Sequence, residues 1–94
     1  MSSIFPKKRY TYSTLIATNS PTDELKAATR RQFEKFGNVI DINCSEPLVD
    51  FGSQEPDRTT YAVSVVVEVE QPSFGSFENF AYLAGWGKDK ETLL

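Results

Sequence analysis

Tyr61, Val63, Val65, Val67 and Val69 alternate along the chain with Ala62, Ser64, Val66 and Glu68. This period of two predicts a strand over Thr59–Val69, with one deeply buried side and one partly wet or helix-covered side. Residues 9–18 are rich in aromatic and β-branched types and predict the first strand. Its two faces are Tyr10, Tyr12, Thr14 and Ile16 against Thr11, Ser13, Leu15 and Ala17. One begins more aromatic and the other ends more apolar, so the pattern leaves open which face meets the core.

Between these strands the period changes. Leu25, Ala28, Thr29, Phe33 and Phe36 recur at helical spacing, with Lys26, Arg30, Arg31 and Lys35 on the remaining faces. Ser20 suits the cap, Pro21 the first helical position, and Asp23 and Glu24 the positive end of the helix. Gly37 supplies the stop. Asn38–Cys44 reads as a second strand around Val39, Ile40 and Ile42, broken by Pro47, with residues 48–51 as a short extension and Gly52–Arg58 as a polar turn. After a turn at Gln71–Ser76, Ser73 or Ser76 caps a second helix holding Phe77, Phe80, Ala81 and Ala84. That helix ends at Gly85 and Gly87 around Trp86.

The order is β-α-β-β-α. It predicts a small single α+β domain whose antiparallel or mixed sheet of three to four strands packs against helices, a variant of the ferredoxin-like plait without an obvious last strand. Residues 1–8 form a flexible arm, 9–87 the domain, and 88–94 a polar tail ending in Leu93 and Leu94. A missing fourth strand leaves an edge open to another chain, a second copy included.

Composition narrows the chemistry. Ninety-four residues, 39% hydrophobic and 24% charged, suit one globular domain. No apolar run approaches the roughly 18 residues of a membrane span, and the first residues do not read as a secretory signal. Cys44 is the only cysteine, which excludes an internal disulfide and fits a reducing, cytoplasmic setting. Histidine is absent, which removes the commonest general base near neutral pH and any Cys/His zinc site. With acids beside it and no base, Cys44 reads as a half-buried apolar-like residue. Asp41, Glu46, Asp50, Glu55 and Asp57 fit no calcium-loop spacing and read as a solvated acidic stretch. No catalytic residue, metal or cofactor is assigned. A divalent-metal-dependent enzyme using loop carboxylates such as Asp50 and Asp57 stands as the third reading.

Charge distribution bears on partners. Residues 1–36 carry seven Lys/Arg against three acids, and residues 37–94 carry three against ten, within a net charge of −3. Such a split steers a partner toward one face if folding preserves it. The run Lys7-Lys8-Arg9-Tyr10-Thr11-Tyr12 matches the logic of a single-strand nucleic-acid binder, in which cations hold phosphates and exposed rings stack on bases. Arg30 and Arg31 extend that patch only if their helix borders the same face. Against this, the open edge, Tyr82, Trp86 and the separated charges fit a protein interface. The leading expectation is a non-catalytic interaction module, acting as a small regulator, adaptor or assembly subunit through a protein partner or self-association. Nucleic-acid binding through segment 7–12 is the alternative.

Overall fold

The computed structural model describes residues 5–48 and 58–94. Along the chain run β1 (Lys7–Thr18), α1 (Thr22–Glu34), β2 (Gly37–Cys44), β3 (Thr59–Glu70), a 3-10 turn (Gln71–Ser73), α2 (Phe74–Leu83) and β4 (Gly87–Leu93). The strands make one four-stranded antiparallel sheet ordered β2-β3-β1-β4.

The α+β expectation holds at this level, and the five-element order needs correction. The segment read as a tail is β4, paired with β1 from Lys8↔Leu93 to Ser13↔Gly87. Its polarity concealed it: Lys88, Asp89, Lys90 and Glu91 are consecutive, and every residue of the strand is exposed. A strand of this kind is held by main-chain pairing and leaves no alternation of apolar residues. Likewise Lys7 and Lys8 open β1 rather than closing an arm.

The core lies on one face of the sheet. Val63, Val65, Val67 and Val69 of β3 are fully buried, as the alternation predicts, and each such side chain contributes about 1.5–3 kcal/mol. Tyr10 and Tyr12 of β1 and Val39 and Ile42 of β2 join them. Leu25, Thr29 and Phe33 of α1 and Phe77 and Ala81 of α2 cover this layer. Phe33 meets Phe77, Phe80 and Trp86 edge to face, with centroids 5.8, 5.5 and 5.1 Å away. Buried Thr29 places its hydroxyl on the Leu25 carbonyl at 2.9 Å, so no polar group is stranded there. No helix among the described residues covers the opposite face, which carries Arg9, Thr11, Ser13 and Leu15.

The expectations at both ends of α1 change. Ser20 does not cap α1: its N–H donates to Thr18 Oγ1, and Pro21 occupies the cap position without a side-chain bond. Gly37 is the first residue of β2 rather than a left-handed helix stop, and a Cβ there would strike the Glu68 carbonyl oxygen. At the end of α2 a glycine does serve conformation. Gly85 has φ +86°, its N–H donates to Tyr82 O, and the Trp86 N–H donates to Ala81 O at 2.9 Å. This double bond pattern closes the helix and folds Trp86 back over it.

Candidate functional site

The pleat of β1 divides the basic run that the sequence presents as one motif. Lys8, Tyr10 and Tyr12 point toward the helices, and Lys7 and Arg9 toward the uncovered face. Lys8 Nζ lies 4.9 Å from the Phe74 ring centre and 3.4 Å from Glu91 Oε2. Arg9 is engaged by Glu68 at 2.6 Å. The two rings that the nucleic-acid alternative would stack on bases are core residues. Tyr10 is fully buried and Tyr12 nearly so, their centroids 5.0 and 5.3 Å from that of Phe77. Burial first, and the neighbouring Glu78 carboxylate second, hold both phenols above their ordinary pKa. The Tyr10 hydroxyl is buried with no hydrogen-bond partner among the described residues.

Arg30 and Arg31 are exposed on α1, across the sheet from Arg9, so the structure does not gather these cations into one patch. Trp86 is also a correction: it is 8% exposed and packs on Phe33. Tyr82 is 79% exposed, and Leu83 beside it is 74% exposed. Cys44 is half-buried, and burial pushes its thiol up, opposed in part by Lys26. Among the described residues no three His, Cys, Asp or Glu side chains gather as a metal site. Asp50, Glu55 and Asp57 lie outside the described residues. No helix among those described is long and apolar enough to cross a membrane.

What these placements leave is an edge. β1 has twelve residues and β4 seven, and β4 pairs only with Lys8–Ser13. The direction of the main-chain groups beyond Ser13 follows from the bonds at the strand ends. Gln71 N–H donates to Pro6 O on the β3 side, and Leu94 N–H donates to Lys7 O on the β4 side. The β1–β3 ladder then runs from Lys7↔Glu70 to Thr18↔Thr59 without a shift. Even-numbered residues of β1 therefore turn their N–H and C=O toward β3, and odd-numbered ones turn outward. The far end agrees: Ala62 and Thr60 direct their carbonyls to Ser45 and Leu48, leaving Tyr61 to face Ile16.

Leu15 and Ala17 thus hold two N–H and two C=O groups that no strand among the described residues engages. Thr14 Oγ1 donates to Gly85 O at 3.0 Å, which marks where the connection from α2 to β4 leaves the edge. Leu15, 51% exposed, stands on the uncovered face, and Tyr82 and Leu83 stand at the end of α2 on the other. Chemically, such a stretch offers paired donors and acceptors between apolar side chains. The sequence points to an open edge for a different reason, a missing strand. The edge exists because the strand that is present is five residues shorter than its neighbour, and no single residue signals that. Comparison with protein-family models, with curated proteins and with solved structures found no match to this chain.

Proposed function

We propose that this protein is a non-catalytic interaction module, a small regulator, adaptor or assembly subunit that engages another polypeptide by extending its sheet. The observation that carries this reading is the uncharged stretch Thr14–Thr18, where no strand among the described residues engages the outward groups of Leu15 and Ala17, and the end of α2 that bonds Thr14 exposes Tyr82 and Leu83. Free strand edges pair readily, and proteins ordinarily blunt them with charge, proline or bulges. The other two edge stretches here are blunted. β4 carries four consecutive charges and an irregularity between Thr11 and Tyr12 of its partner, and β2 is broken at Ile40. An edge left plain beside guarded ones suits strand addition, in which the main chain supplies affinity and flanking side chains supply specificity.

The sheet order β2-β3-β1-β4 and the helices on one face further support reading the fold as a plait of two interlocked β-α-β units. In such a plait the uncovered face would be the surface for nucleic acid. Here its Arg9 is matched by Glu68 and its aromatics are on the other side, so the protein-partner reading stands first.

The test is affinity capture from native extract with wild-type protein and with Ala17→Pro, each with and without nuclease. The proline removes an outward N–H and leaves the β3 ladder intact. Nuclease-resistant capture of a polypeptide that Ala17→Pro abolishes is the expected result. Capture lost to nuclease, or indifferent to the proline, overturns the proposal.

A further inference from the structure

We infer that the occupant of this edge is a second copy of the chain, paired antiparallel about a two-fold axis through Ile16; this rests on the sheet-extension reading above. The register follows from geometry. A two-fold axis normal to a sheet passes through the centre of a residue pair, so it sets some residue opposite its own counterpart. In addition, hydrogen-bonded pairs must join residues whose groups point outward. With Ile16 on the axis, Leu15 faces Ala17 of the second copy and Ala17 faces its Leu15. The outward groups of Leu15 and Ala17 in both copies, which no described strand engages, are then satisfied in four hydrogen bonds. Centring on Leu15 would set Ala17 against the second copy's Ser13, already committed to Gly87. Centring on Ala17 would draw in Asn19, which lies outside the strand.

The side chains agree with this register. Thr14-Leu15-Ile16-Ala17-Thr18 reads nearly alike in both directions, so Thr14 meets Thr18, Leu15 meets Ala17 and Ile16 meets itself. Ile16 falls at a close, non-hydrogen-bonded pair, the geometry in which β-branched side chains touch best. The segment carries no charge to repel its copy. The same symmetry applied to β4 fails. Centred on Asp89 it sets Asp89 on Asp89 and Lys88 on Lys90, and centred on Lys90 it sets Lys90 on Lys90 and Asp89 on Glu91. Like charges directly opposite are destabilising.

The helix layer adds a second contact. Thr14 lies beside the end of α2 through its bond to Gly85. In the proposed register Thr14 faces the second copy's Thr18. Thr18 lines a groove of about 490 Å³ along α1, with Leu25, Ala27, Ala28 and Arg31 among its walls. The exposed Tyr82 and Leu83 of each copy are thereby brought to the mouth of the other's groove, once on each side of the axis. Four main-chain bonds alone are a narrow contact. Two aromatic-aliphatic tips entering two grooves extend it toward the roughly 800 Å² per partner of a stable interface.

The test is sedimentation equilibrium at about 1 mM, where even a dimer with Kd of about 100 μM is mostly associated. Wild type is expected at twice its 10.6 kDa. The double change Leu15→Glu and Ala17→Glu, at two exposed positions, opposes like charges in both pairs and is expected to leave a monomer with unchanged circular dichroism. Leu15→Lys with Ala17→Glu restores attraction in this register alone and is expected to restore the dimer. A monomeric wild type, a dimer indifferent to the double glutamate, or failure of the Lys/Glu rescue would each overturn the inference. If wild type is monomeric yet captures a different protein through Ala17, the dimer is excluded and the interaction-module reading survives. If neither assembly nor capture depends on this edge, both fall.

Discussion

Trp86 stands edge-on to Phe33, their centroids 5.1 Å apart and their planes at 88°. The contact depends on Gly85, whose left-handed backbone turns the chain back so that Trp86 N–H reaches Ala81 O. A side chain at Gly85 would meet nothing within 4 Å, so the cost of adding one is conformational. Gly85→Ala is expected to lose about 1–2 kcal/mol in urea unfolding. The fluorescence of this only tryptophan should shift red as its seat loosens. An unchanged midpoint would show that the turn does not need glycine.

Gly37→Ala addresses the opposite case. No unusual φ is involved there, but the new Cβ meets the backbone oxygen of Glu68, which cannot swing aside. Overpacking of this kind costs about 1–3 kcal/mol. Gly37→Ala should therefore be at least as damaging as Gly85→Ala under the same unfolding conditions, and a milder effect would contradict the close approach of β2 to β3.

Tyr10→Phe tests the stranded hydroxyl. The buried oxygen meets no partner at full hydrogen-bond geometry among the described residues, and the nearby Glu78 carboxylate keeps its bond from Lys88, so removal of the hydroxyl leaves nothing unpaired. The variant is expected to range from neutral to about 1 kcal/mol more stable. A loss of stability would reveal a bond made by that oxygen.

The ion cluster beside β4 sets a pH window. Lys88, hydrogen-bonded to Glu91 at 3.1 Å, holds that carboxyl below its ordinary value, with Lys8 contributing; reciprocally, the bond to Glu91, with Glu78 adding, holds the ammonium of Lys88 up. Stability from Glu91 is complete above about pH 4.3 and is lost as pH falls through its lowered folded pKa. Stability from Lys88 is complete below about pH 10.4 and is lost as pH rises through its raised one. Both side chains are a third or more exposed, so each contribution is under about 1 kcal/mol and weakens with salt. Thermal melts at pH 6 and pH 3 should show Glu91→Gln losing less on acidification than wild type. Equal losses would remove the carboxylate from the account.

Much of this architecture is legible in the chain because burial writes itself as periodicity. The valines of β3 and the stripe Leu25, Thr29 and Phe33 of α1 alternate as their elements require, and both fall where their spacing places them. Gly37–Cys44 emerges within one residue of the expected strand. β4 is opaque for the converse reason, since a fully exposed edge strand buries no side chain and leaves no rhythm. The tyrosines of β1 illustrate a further limit. Basic-aromatic spacing is the same whether the rings meet solvent or a helix, and only α2, through Phe77, decides it. The candidate edge is less legible still, because it depends on the difference in length between two strands distant in the chain.

That difference has a kinetic signature. In a lone molecule the amides of Thr14, Ile16 and Thr18, turned toward β3, are expected to exchange slowly with solvent deuterium, and those of Leu15 and Ala17, engaged by no described strand, to exchange fast, an odd-even comb over five residues. Association at this edge would silence the fast teeth alone. The twelve-to-seven mismatch of β1 and β4 thus makes adjacent amides of one strand separate reporters, one set for folding and the other for company.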